Sequence, residues 1–176
     1  MTARMAHGKA LHTRDGCHLA ALNFGLLRHD WDAPEVVDFV AGLDLVNGVA
    51  ERAAGFVWRL DDAAMETAQA DPASPFQGNP RMASTLSVWT DADSLGAFVW
   101  NTVHRQFYAR KGEWYDAPGA LVLWWVPEGH RPDMAEGYAR WQHRNEFGDS
   151  DQAFGWSYLE EAATWTAHAC DRIAAE

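Results

Sequence analysis

Apolar and polar positions along this chain recur in two periods, one of two residues and one of three to four, and the switches between them mark out the elements. His18 to Phe24 is largely apolar and predicts a buried first strand. Asp32-Ala33-Pro34-Glu35 carries a helix start, with Asp32 as cap, Pro34 in the first turn and Glu35 at the capping-box acid position. Behind it Val36, Val40, Leu43, Asn47 and Ala50 repeat at helical spacing and define a packed face, and Gly55 closes the helix. Phe56 to Leu60 is a predicted second strand, with Phe56, Trp58 and Leu60 on one side and Val57 and Arg59 on the other.

Residues 61 to 81 hold Pro72, Pro75 and Pro80 and predict a long loop. A third strand runs from about Ala83 to Trp89, with Thr85, Ser87 and Trp89 sharing a face. Thr90-Asp91-Ala92-Asp93 caps one continuous helix that carries Leu95, Phe98, Val99 and Phe107 inward. A neighbouring stripe of that helix holds Trp100, His104, Tyr108 and Lys111, which puts His104 in mid-helix. Leu121 to Val126 is a fourth strand stopped by Pro127, and a further helix begins near Pro132 with Met134, Tyr138, Trp141 and Asn145 on one side. Ser157 to Glu160 reads as another capping box, opening a C-terminal helix over 157–175 in which Cys170 is a small buried residue. Residues 1–16 have no sustained period and read as a mobile tail before a single domain spanning 17–176.

The order strand, helix, strand, strand, helix, strand predicts an α+β fold of the ferredoxin-like type: a four-stranded antiparallel sheet with helices on one face, plus the added C-terminal helix. A sheet covered on one face leaves the other to be buried elsewhere, so a homodimer in the manner of a dimeric α/β barrel is expected.

Charge narrows the partners. Fourteen Lys and Arg against twenty-five Asp and Glu leave a formal charge of −11, which repels phosphate backbones and disfavours nucleic acid. No apolar run approaches the ~20 residues of a membrane helix, so no membrane partner is expected. Cys17 and Cys170 lie far apart and give no disulfide framework or zinc ribbon. The start MTARMAHGKALHTRDG lacks the apolar segment of a secretory leader, and the reading is of a cytoplasmic protein. Ten tryptophans in 176 residues is far above ordinary usage and suggests an aromatic wall around a small molecule, if several indoles cluster.

Several blocks resemble a known family: His18-Leu19-Ala20-Ala21-Leu22-Asn23, Gly55-Phe56-Val57-Trp58-Arg59-Leu60, Leu86-Ser87-Val88-Trp89, His104-Arg105 with Glu113-Trp114, and Leu123 through Pro132. Together they span about residues 18 to 147 in order and are similar to an uncharacterised bacterial domain of unknown function. That family looks like the dimeric α/β-barrel proteins, whose relatives include cofactor-independent antibiotic-biosynthesis-type and quinol monooxygenases, haem proteins of the chlorite-dismutase type and small-molecule isomerases. The resemblance implies the fold and transfers no activity. This chain departs from the pattern after Phe154, where a short extended tail is expected and a capped helix is read instead.

The side chains fit for chemistry are few. His104 can move a proton near neutral pH, with Trp100 and Tyr108 four residues to either side; a purely structural histidine explains it equally. Arg59, inside a strand, needs a carboxylate or an anionic ligand, and an internal bridge to Asp44 or Glu113 is the plainer account. His130 stands in the loop Pro127-Glu128-Gly129-His130-Arg131-Pro132, and Glu136 with Arg140 reads as an ordinary helical ion pair. Trp58, Trp89, Trp100, Tyr108, Trp124 and His130 are the candidate ligand-contacting residues. No metal motif stands out, and haem, which needs one axial histidine, is the cofactor left open at His104 or His130. The expected function is a cofactor-independent enzyme of bacterial specialised metabolism that oxygenates, isomerises or cyclises an aromatic or hydrophobic substrate. A non-catalytic ligand-binding module and a haem protein are the alternatives.

Overall fold

Ten residues, Cys17–Leu26, form β1, and Leu19 to Leu22 are all buried, so this strand has neighbours on both edges and cover on both faces. The computed structural model describes residues 13–116 and 120–159. β2 (Phe56–Arg59), β3 (Met82–Trp89) and β4 (Ala120–Pro127) complete a four-stranded antiparallel sheet in the order β2-β3-β1-β4. The helices are α1 (Val37–Glu51, after a 3-10 turn at Pro34–Val36), α2 (Asp62–Gln69), α3 (Ala92–Asn101), α4 (His104–Trp114) and α5 (Met134–Phe147). The fold is α+β. At the outer edge of β4, Leu123 and Phe154 exchange both backbone hydrogen bonds, at 2.8 and 2.9 Å.

The period of two sorts the sheet into two buried faces. Leu19, Ala21, Trp89, Leu123 and Trp125 pack with α1 and α3, while Ala20, Leu22, Leu86, Val88, Val122 and Trp124 pack with α2 and α5. Helices on one face alone is therefore corrected: the second face is closed within the chain by Met65 of α2 and by Met134, Tyr138 and Trp141 of α5. Among the described residues this second face is covered within the chain, and the exposed positions of the central strands, Asn23 and Thr85, lie on the first face. The expected loop over 61–81 hides α2, whose cap is Asp61, accepting from the Ala64 N–H at 2.9 Å. Its prolines all fall after the helix ends, which leaves Ala63 to Gln69 free to coil.

Three further expectations change. Asp32 makes no cap bond at the 3-10 turn, whose N-cap is Ala33. In α1 the inward face is Phe39, Gly42, Val46 and Ala50, and Val40 is exposed. The single helix after Thr90 is two, broken where Thr102 turns extended at φ −120° and ψ −176°. Its hydroxyl donates to the Phe98 carbonyl at 2.6 Å and accepts the His104 N–H at 3.2 Å, replacing helical backbone bonds. His104 thus opens α4. A 3-10 turn covers Trp156–Tyr158, and the rest of the predicted C-terminal helix, with Cys170 and most of the N-terminal tail, lies outside the described residues.

Candidate functional site

α1 and α4 do not close completely on the first sheet face. Between them is a cavity of about 380 Å³, within the size range of small-molecule sites. Its floor comes from Ala21 and Asn23 of β1 and Thr85 and Ser87 of β3; its walls include Asn47 of α1 and His104 and Tyr108 of α4. At the far end Gly42 of α1 meets Phe107 of α4, and a Cβ there would overlap the phenyl ring, so the glycine sets how closely the two helices approach.

His104 lines this cavity, and its position follows from the break at Thr102. The ring packs on Phe98 at 4.9 Å and lies 6.4 Å from Tyr108. Its Nδ1 is 3.4 Å from the Val99 carbonyl oxygen, and a carbonyl only accepts, so Nδ1 carries the proton and Nε2 keeps its lone pair. Burial pushes the imidazole below its ordinary pKa, and the Val99 hydrogen bond offsets only part of that. The first turn of a helix acts the same way as burial, because its positive end disfavours a cation. The result is a neutral imidazole at neutral pH, a usable base. Tyr115 also lines the cavity, and burial holds its phenol above the ordinary range, so it can donate a hydrogen bond but does not ionise.

Arg59 reaches the cavity through an irregularity in β2. Phe56 pairs with Trp89, Trp58 with Val88 and Arg59 with Ser87, so Val57 is an extra residue, a bulge. Phe56 and Arg59 therefore share the cavity side, and Trp58 turns to the opposite face, where Arg131 stands 5.9 Å from its ring. The simple alternation read from the sequence is corrected. Arg59 donates Nε to Glu51 at 2.6 Å and Nη1 to Asp62 at 2.7 Å, so its bridge is internal, with partners other than Asp44 or Glu113. Burial opposes its charge, but the hydrogen bonds it donates to Asp62 and Glu51 outweigh this and raise its pKa.

The candidate residues divide between the two faces. Trp89 belongs to the cavity, stacked on Phe98 at 5.1 Å with its Nε1 donating to the Ser87 hydroxyl at 3.0 Å. Tyr108 belongs there too, with the Lys111 ammonium 3.9 Å from its ring centre. Trp100 stacks edgewise on the outside of Tyr108 at 4.9 Å and does not line the cavity. Trp124 and His130 lie on the other face, joined by Glu136, which accepts from the indole at 2.8 Å and meets the imidazole Nε2 at 2.7 Å. Glu136 is thus not paired with Arg140, which donates to the Gln152 carbonyl instead. Of the tryptophans named from the sequence only Trp89 lines the cavity, and the other indoles in its wall are Trp31, Trp114 and Trp156.

Sequence reasoning missed the polar floor. Asn23, the one polar residue within the apolar run after His18, and Thr85 are directly opposite each other in the β1–β3 register, and both are exposed in the cavity. Among the described residues neither side chain has a hydrogen-bond partner. The signal was a polar side chain at an inward position of a central strand.

Of the two histidines considered as axial ligands for haem, only His104 lines the cavity. His130 is committed to Glu136 on the far face, and the cavity's cations are engaged, Arg59 by two carboxylates and Lys111 by a ring, leaving none free for propionates. Among the described residues no group of three or more His, Cys, Asp or Glu could hold a metal ion, and no helix is long and apolar enough to cross a membrane.

A family model described as a domain of unknown function, DUF3291, matches residues 18–170. The chain belongs to this family. The match takes in every residue that lines the cavity, so the site is part of the DUF3291 domain. No curated protein matches this DUF3291 chain. Among solved structures it is similar to the crystal structure of NE2512, a protein of unknown function from Nitrosomonas europaea, with 11% identity and a TM-score of 0.44 over 66% of this chain and 96% of that one.

Proposed function

We propose that this DUF3291 protein is a cytoplasmic small-molecule enzyme that moves a proton on an aromatic or hydrophobic substrate, with His104 as general base. One observation carries the reading: a histidine kept neutral by burial, with Nδ1 bound to a backbone carbonyl and Nε2 unpartnered among the described residues, on the wall of a ligand-sized cavity. Isomerisation or cyclisation by proton transfer needs a base, a hydrogen-bond donor such as Tyr115 and a pocket that holds the substrate against them, all of which one chain supplies. Oxygenation would add dioxygen as a co-substrate and has no separate support. Arg59 holds the end of β2 to α1 and α2 through Glu51 and Asp62 and is a positioning residue in this scheme.

The strand order and the crossovers through α1 and through α3–α4 support a ferredoxin-like reading of the fold. Every group in the proposal comes from a single chain, so the homodimer expected from the sequence has no part in it.

The test is hydrogen–deuterium exchange at carbon. A panel of aryl ketones is incubated with protein in deuterated buffer, and loss of the α-proton signal is followed by NMR. The wild-type protein is expected to exchange at least one ketone faster than free imidazole does, and His104→Ala to lose exchange while keeping affinity. Equal exchange by both proteins removes His104 from the chemistry. Binding without exchange by the wild type leaves a ligand-binding module.

A further inference from the structure

Asn23 and Thr85 sit on the two central strands, where side chains on a covered face are ordinarily apolar. Their neighbours along the same face are Ala21, Leu19 and Trp89, all buried. A carboxamide and a hydroxyl are costly in such a place unless water or a ligand satisfies them. Among the described residues no protein group does, and both side chains are exposed to the solvent of the cavity. The cost therefore falls on a ligand that displaces that water without replacing its hydrogen bonds. Directly opposed residues on antiparallel strands have their Cβ atoms about 5 Å apart, so one ligand group can reach both. Each side chain both donates and accepts, which matches an amide, a carbonyl or a hydroxyl.

The surroundings argue against a charged head group. Arg59 is already held by Glu51 and Asp62, Lys111 lies on the Tyr108 ring, and the chain as a whole carries −11. No cation is left to pair with a carboxylate or phosphate, and no unpaired carboxylate lines the cavity to greet an amine. Much of the rest of the wall is apolar and aromatic, with Phe39, Leu43, Trp89 and Phe98 among it, beside polar Asn47, Gln69 and Ser87.

We propose that Asn23 and Thr85 are the specificity determinants of this cavity, and that they select uncharged molecules joining one amide, carbonyl or hydroxyl group to an aromatic body. The inference rests on the reading that the cavity takes a small molecule, and it names the class. The polar group seats between the two side chains and displaces their water, while the ring lies against the phenyl and indole walls. A molecule without the polar group strands both side chains, which is how a hydrogen-bonding site rejects its apolar analogues.

Isothermal titration with four probes on one ring tests this: naphthalene, naphthol, naphthamide and naphthoate. Naphthamide or naphthol is expected to bind about tenfold more tightly than naphthalene and than naphthoate. Asn23→Leu and Thr85→Val should each erase most of that preference without weakening naphthalene, and Thr85→Ser should keep it. Thermal melting of each variant checks its fold, and should Asn23→Leu not fold, the Thr85→Val and Thr85→Ser pair decides. Equal binding of naphthalene and naphthamide overturns the selection and leaves the cavity reading standing. Tightest binding of naphthoate overturns the uncharged class. Failure of all four to bind removes the cavity reading itself, and this proposal with it.

Discussion

The Nδ1 of His104 faces the backbone oxygen of Val99, five residues back in the preceding helix, at 3.4 Å. This bond fixes the tautomer and ties the start of α4 to α3. The pH dependence has a definite sign. The folded protein holds the imidazole below its ordinary pKa of about 6.5, so protons bind the unfolded chain more readily. The contribution is complete above that ordinary value and is lost as the pH falls through it toward the lower folded value. Urea midpoints are expected to drop between about pH 8 and pH 5, and His104→Gln should flatten that part of the profile. An NMR titration of His104 should show its midpoint below that of a free histidine. A midpoint above it would contradict the buried, neutral ring.

Arg59 joins two carboxylates whose side chains are 47% and 75% exposed, so each pair is worth little. Arg59→Met is expected to cost about 1 kcal/mol in urea unfolding and to reduce the sensitivity of stability to salt. Naphthalene affinity should not change. A large loss of affinity would move Arg59 from positioning to ligand contact.

Glu136 accepts the Nε1 proton of Trp124, a side chain with no exposure at all. Glu136→Ala leaves that donor buried and unpaired, and a loss of about 1–3 kcal/mol is expected by chemical denaturation. Glu136→Gln keeps an acceptor and should lose less. Neither change should alter probe binding, because the sheet separates this cluster from the cavity.

The contact of Gly42 with Phe107 invites a paired substitution. Gly42→Ala forces the phenyl ring to swing away, and overpacking of this kind costs about 1–3 kcal/mol. Adding Phe107→Leu should recover most of the loss by melting temperature. No recovery would show that the helix backbones, and not this ring, are in conflict.

The strands were legible in the sequence because a strand buried on both faces reads as a short, nearly continuous apolar run bounded by polar or turn residues. β1, β3 and β4 fall within a residue or two of their expected ends. α2 was not legible, because three prolines nearby drew the whole stretch into one loop although its helix formers precede them. The break at Thr102 was hidden for another reason: the stripe Trp100, His104, Tyr108 keeps helical spacing straight through it, and only the hydroxyl's choice of backbone partners interrupts the coil. Indoles do line the cavity, but apart from Trp89 they are Trp31, Trp114 and Trp156 and not the ones the strands suggested. Trp58 and Trp124 share one face and Trp89 the other, and for Trp58 the bulge decided the side. His104 and Arg59 were singled out by residue type and position, and both line the cavity; Asn23 and Thr85 were passed over because an isolated polar residue in a strand looks like noise until its partner across the sheet is known.

The extra residue in β2 gives the strand an unusual tolerance of length. With Val57 removed, Phe56, Trp58 and Arg59 would meet Trp89, Val88 and Ser87 one to one, and no side chain would change sides. The loss of a single residue from the middle of β1 has the opposite effect, since Leu22 or Leu19 would trade places with its neighbours and be forced into the packing of the opposite buried face. Deleting Val57 is therefore expected to keep every β2 side chain on its present side of the sheet, which a deletion within β1 would not.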